Sequence, residues 1–110
     1  MKKDLNKHRI LILGASGYIG YSIYKELGPY FKTYGTYRTP KKEFESNKQF
    51  FQYNVEEDDV YEILEACKPS IIISTLRGDF NAQTIAHQHI AEYALAVSYT
   101  HLTLPTIYSV

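Results

Sequence analysis

Cysteine is almost missing from this chain: Cys67 is the only one in 110 residues. A lone cysteine excludes an internal disulfide and fits a reducing compartment, so a cytoplasmic location is expected. Net charge is missing too, because 12 basic side chains balance 12 acidic ones. A nucleic-acid partner would gain nothing from bulk charge, and none is expected. No stretch approaches the apolar length that spans a bilayer, so no membrane role is expected. The basic start, "MKKDLNKHR", leads into only four apolar residues, Ile10 to Leu13, too few for the core of a signal peptide.

What is present suits one small soluble domain, with 45% apolar and 22% charged residues. Tyrosine is frequent, at 11 positions without a repeat period, which reads as half-buried packing. His8 to Leu13 is an apolar run without alternation, as expected of a strand buried on both faces. Tyr18 to Leu27 places Ile19, Ile23 and Leu27 at helical spacing, and Gly28-Pro29 stops it. "FKTYGTYR", 31–38, and "KQFFQYNV", 48–55, read as strands two and three. "EEDDVYEILEACK", 56–68, reads as a helix with acids in its first turn and Val60, Ile63, Leu64 and Cys67 on one face. "SIIIST", 70–75, is a second strand without alternation. "DFNAQTIAHQHIAEYALA", 79–96, reads as a helix with Phe80, Ile85, Ile90 and Ala94 facing inward.

The resulting order, β-α-β-β-α-β-α, predicts an α/β fold with a mainly parallel sheet covered on both faces. Only about ten polar residues link strands two and three, where a parallel crossover usually takes a dozen or more, so any helix there must be degenerate. His87 and His89 lie two apart on a helix and point to different faces, so no metal site is expected. Cys67 reads as a small buried hydrophobe.

Gly14, Gly17 and Gly20 sit where the first strand becomes the first helix. Gly14 suits the tight turn off the strand, Gly17 lets backbone N–H groups approach a pyrophosphate, and Gly20 lets the helix pack closely. The helix N-terminus then offers free N–H groups to phosphate, and Ser16 adds a hydroxyl. Three glycines can serve a tight turn alone. Their place between a buried strand and an amphipathic helix favours nucleotide binding.

"GASGYIG" resembles the loop of the extended short-chain dehydrogenase/reductase superfamily, and the resemblance spans about residues 8–96. Members include nucleotide-sugar epimerases, dehydratases and dTDP-4-dehydrorhamnose reductases. "KPSIIIST" is similar to strand four of the rhamnose-reductase-like group, which makes that group the nearest. The resemblance implies the N-terminal part of a doubly wound parallel-sheet Rossmann fold over residues 1–96. It implies a pyrophosphate on Gly14, Ser16, Gly17, Tyr18, Ile19 and Gly20. Strand two ends in Arg38 with no acid beside it in the sequence. A base there accepts a ribose 2′-phosphate. NADP(H) is therefore expected, with NAD(H) as the alternative and Lys41 as a helper; a merely solvated Arg38 is the plain alternative. Asn54-Val55 stands where the family often has Asp and an aliphatic residue beside adenine. Thr75 and Leu76 match the turn beside the ribose and nicotinamide, with Arg77 a weaker match.

The parent protein would reduce, epimerise or dehydrate a nucleotide-linked sugar. The open alternatives are a non-catalytic, redox-sensing dinucleotide module and a unit that binds another nucleotide. The family's catalytic Tyr-x-x-x-Lys lies on a helix after strand five. Tyr21 to Lys25 and Tyr37 to Lys41 have the spacing but the wrong place, and both read as chance matches. "VSYTHLTLPT", 97–106, is similar to the translation of a transposase-based sequencing adapter. Residues 97–110 are therefore read as foreign to the fold, and the chain as an inactive fragment without strand five. Strand four would then be an exposed apolar edge that promotes aggregation.

Overall fold

The structure is a computed structural model that describes residues 8–77, 80–101 and 105–110. Five strands form one sheet: β1 (Arg9–Leu13), β2 (Lys32–Tyr37), β3 (Phe50–Gln52), β4 (Ile71–Ser74) and β5 (Thr106–Ser109). Four helices connect them: α1 (Tyr18–Leu27), α2 (Lys42–Glu45), α3 (Val60–Cys67) and α4 (Phe80–His101). The spatial order is β3-β2-β1-β4-β5, and every neighbouring pair is parallel. Among the described residues, no helix is long and apolar enough to cross a membrane.

β1 is central, and its unalternating sequence follows from burial on both faces. Leu11 and Leu13 join Ile72, Val60, Leu64 and Ile90 beneath α3 and α4. Ile10 and Ile12 join Phe44, Phe50 and Tyr37 on the opposite face, with Ile23 and Leu27 of α1 packed against them. α3 turns inward the four residues its periodicity marks, Val60, Ile63, Leu64 and Cys67. Burial of the Cys67 sulfur pushes its thiol up to about 12 from an ordinary 9.0, with Arg9 opposing the shift.

The short link between β2 and β3 holds a single helical turn, α2. Its Phe44 is buried, stacked on Tyr37 at 5.8 Å and on Phe50 at 5.0 Å. One aromatic anchor thus does the covering that a full crossover helix would do.

Four expectations need correction. Residues 56–58 are not the first turn of α3. Asp59 is its N-cap, with Oδ1 accepting from the Tyr61 N–H at 2.9 Å, and Glu56 to Asp58 form a preceding turn. β3 is only three residues long, because residues 48–49 turn into it. On α4, Ile85 is 52% exposed, whereas Ala86, Ile90, Tyr93 and Ala94 are buried, so the inward stripe lies one residue later at its start. Phe80 opens α4, but its side chain lies outside the described residues.

The largest correction concerns strand five. β5 pairs along all of β4, from Ile71–Thr106 to Ser74–Ser109, so β4 is not an edge. The Thr106 N–H donates to the Ser70 carbonyl and the Val110 N–H to the Ser74 carbonyl, both at 2.9 Å. Parallel pairing needs backbone groups and β-favouring residues, and "TIYS" supplies both without an aliphatic run. α4 continues without a break across residues 96 and 97, and Val97 packs on the core.

The Cys67 environment yields a direct test. At pH 8 the native thiol should react with an aromatic disulfide reagent at least about a hundredfold more slowly than in urea, because so little thiolate forms. The folded value lies above the unfolded one, so this group's contribution to stability is intact below pH 9 and declines as pH rises toward 12. Equal native and unfolded reaction rates would contradict a buried Cys67.

Candidate dinucleotide cleft

A cleft of about 570 Å³ opens at the C-terminal ends of β1, β2 and β4. Ligands of open α/β sheets bind there, where the chain order reverses beside the first strand. Its floor is the turn from β1 into α1. Gly14 has φ +84°, a left-handed conformation that suits glycine. A Cβ on Gly20 would overlap the Gly14 carbonyl, with the carbonyl carbon only 2.8 Å away. α1 therefore comes down directly on the end of β1 because Gly20 has no side chain.

Two threonines fix this turn from either side. The Gly14 N–H donates to the Thr36 hydroxyl at 2.8 Å, and the Ser16 N–H reaches the Thr36 carbonyl at 3.3 Å. The Thr75 hydroxyl donates to the Leu13 carbonyl at 2.8 Å and also lies 3.2 Å from the Gly14 carbonyl oxygen. Gly17 caps α1 without a side-chain hydrogen bond. The first amide groups of a helix have no intrahelical carbonyl, so those of Tyr18, Ile19 and Gly20 are available to an anion, helped by the helix dipole.

The sequence-derived residues meet in this cleft with two exceptions, Asn54 and Lys41. Gly14, Ser16, Gly17, Tyr18, Ile19, Gly20, Arg38, Val55, Thr75 and Leu76 all line it, as does Arg77. Asn54 does not line it. Its Oδ1 accepts from the Glu56 N–H at 2.9 Å, and its own N–H donates to Asp58 Oδ2 at 2.8 Å. Asn54 thus builds the turn before α3 and does not turn its carbonyl toward a base. Lys41 is also absent from the lining and marks the start of α2. Ile19 belongs to the cleft wall and is 41% exposed, so the inward face of α1 rests on Gly20, Ile23 and Leu27. Neither Tyr21 nor Tyr37 lines the cleft.

Arg38 pairs with Glu56 at 3.4 Å, an acid that is distant in sequence and near in space. Both side chains are about half exposed, and such pairs contribute only about 0–1 kcal/mol. A stronger anion can displace Glu56. Arg38 and Arg77 make the cleft basic beside the α1 N-terminus.

Thr36, Tyr53 and Val110 also line the cleft and were not singled out in the sequence. Thr36 lies two residues before Arg38, the period of an extended strand, and that spacing is the signal that marks it. Burial, reinforced by Asp58 and Asp59, pushes the Tyr53 phenol up to about 12. His87 Nε2 lies 2.8 Å from the Ser74 hydroxyl, tying α4 to the end of β4. Among the described residues, no three His, Cys, Asp or Glu side chains gather as metal ligands.

No family model matches this sequence, and no curated protein does. Among solved structures, the fold is similar to the Bordetella bronchiseptica enzyme WbmH in complex with NAD+. The TM-score is 0.53 and the identity 19%, over 66% of this chain. The match covers 27% of the WbmH chain, so this chain spans about a quarter of that protein's length. The likeness and the parallel sheet establish a Rossmann-type α/β fold.

The two helix glycines should separate in their effects. Gly20→Ala should destabilise by about 1–3 kcal/mol, because backbone must move to admit the methyl group. A Cβ on Gly17 would meet only the Gly14 carbonyl oxygen, at an ordinary 3.4 Å. Gly17→Ala should therefore cost less than about 1 kcal/mol, the N-cap preference for glycine over alanine. Urea unfolding measures both, and equal losses would refute the close approach at Gly20.

Proposed function

We propose that this chain is the NAD(P)-binding portion of a cytoplasmic oxidoreductase or epimerase of the extended short-chain dehydrogenase/reductase type. Its substrate is a nucleotide-linked sugar, and the nearest relatives in kind are the dTDP-4-dehydrorhamnose reductases. No residue of the chain is assigned to catalysis. The observation that carries this reading is the Gly14–Gly20 turn, with its left-handed Gly14 and side-chain-free Gly20, opening into a basic cleft. The similarity to an NAD+-bound enzyme supports it.

The residues suit a dinucleotide. Amide groups at the start of α1 would hold the pyrophosphate, and Thr75 and Leu76 would flank the nicotinamide ribose. When bound, the nicotinamide supplies hydride chemistry. The chain's own part is to bind, orient and exclude water. Arg38 favours NADP(H), because a 2′-phosphate carries more charge than Glu56 and would replace it as partner.

Fluorescence titration with NADPH, NADH and ATP tests the proposal. NADPH should bind about tenfold more tightly than NADH, the scale of one charge-assisted contact, and ATP should compete poorly. Arg38→Ala should erase the difference by weakening NADPH alone. Equal binding of NADPH and NADH by the native chain would reject the NADP preference. Failure of both to bind would reject the proposal itself.

A further inference from the structure

Beside the cleft lies a smaller chamber of about 170 Å³, between the turn before α3 and the start of α4. Tyr53 and Val55 belong to both walls, so the two spaces meet at these residues. Glu57 and Asp58 rim the chamber, and Ala82, Ala86 and Ile85 give it an apolar side.

Tyr53 is the unusual member. Its side chain is only 3% exposed and packs in the core with Leu11 and Val60. A buried phenol ordinarily finds a hydrogen-bond partner. The Tyr53 backbone N–H donates to the Tyr37 carbonyl at 2.8 Å, but no described residue bonds its hydroxyl. Yet the described residues contain no sealed, unpartnered polar side-chain atom. The hydroxyl is therefore open to the spaces that its ring borders. It also stays protonated at any ordinary pH, and so can both donate and accept.

We infer that the Tyr53 hydroxyl is the group that recognises the heteroaromatic base of the bound nucleotide, by a hydrogen bond to its polar edge. The inference rests on the dinucleotide reading of the cleft and deepens it. Three observations favour a base over another ligand group. The phosphate-binding turn lies along the same cleft, and Val55, Val60, Ile85 and Ala86 give the chamber apolar walls, with Glu56, Glu57, Asp58 and His89 completing its lining. Asn54, the residue next in line, already uses its carbonyl within its own turn. Val55 and the alanines of α4 would contact the faces of the ring, and Tyr53 its edge.

Tyr53→Phe tests this cleanly, because a hydroxyl without a protein partner contributes nothing to the fold. The melting temperature of Tyr53→Phe should equal or exceed that of the native chain. Its affinity for NADPH should fall about tenfold, the worth of one hydrogen bond. Its affinity for inorganic pyrophosphate, a probe without a base, should not change. If the native chain binds NADPH and Tyr53→Phe binds it equally well, the assignment fails and the dinucleotide reading stands. If NADPH and pyrophosphate weaken together, or the variant melts earlier, the hydroxyl has a structural role and the assignment fails. If the native chain binds no NADPH, both fail.

Discussion

Everything around the cleft of this molecule depends on one close approach. The first turn of α1 lies directly against the carbonyl of Gly14, at a distance that leaves no room for a Cβ on Gly20. This contact sets the angle at which the helix leaves the sheet. It also brings the exposed amide end of α1 to the C-terminal edge of β1. The turn is not held by glycine alone, since Thr36 and Thr75 bond the chain on either side of Gly14. A second crowded glycine supports the same corner from below. A Cβ on Gly35 would lie 2.6 Å from the Ala15 side chain and 3.0 Å from Phe50. Ala15 and β2 can lie against each other only because that side chain is missing.

The core explains why the corner is rigid. β1 is packed on both faces and paired on both edges, so its end has nowhere to move. Aromatic stacking through Phe44 ties β2 to β3 despite a short connection. On the other face, Tyr93 of α4 donates to the Leu64 carbonyl of α3 at 3.3 Å, and His87 bonds Ser74. Of the two elements that frame the small chamber, α4 is thus tied both to the sheet and to α3.

Much of this was legible in the sequence where one physical demand dominated. "ILIL" and "III" mark strands covered on both sides, because no other environment accepts such runs in a soluble protein. Gly14 and Gly20 were legible because their spacing matches a steric need. Legibility failed where a residue type serves two ends equally well. Asn54 suits a base contact and a turn, and the turn claimed it. Thr36 and Tyr53 looked like ordinary strand residues, since β propensity hides a place in the cleft wall. Ile85 and Ala86 compete for one helical position, and the smaller residue faces the core. β5 was missed because its pairing rests on backbone groups, which leave little trace in composition.

The measurement that tests the central claim most directly is an NMR titration of the isotope-labelled chain with NADPH. Amide signals of Gly14, Gly17, Tyr18, Ile19 and Gly20 should move most, together with Thr75 and the Arg38 side chain. Signals from α3 beyond its first turn and from the outer face of α4 should stay in place. Shifts that gather elsewhere, or none at saturating NADPH, would contradict the assignment of the glycine turn as a dinucleotide site.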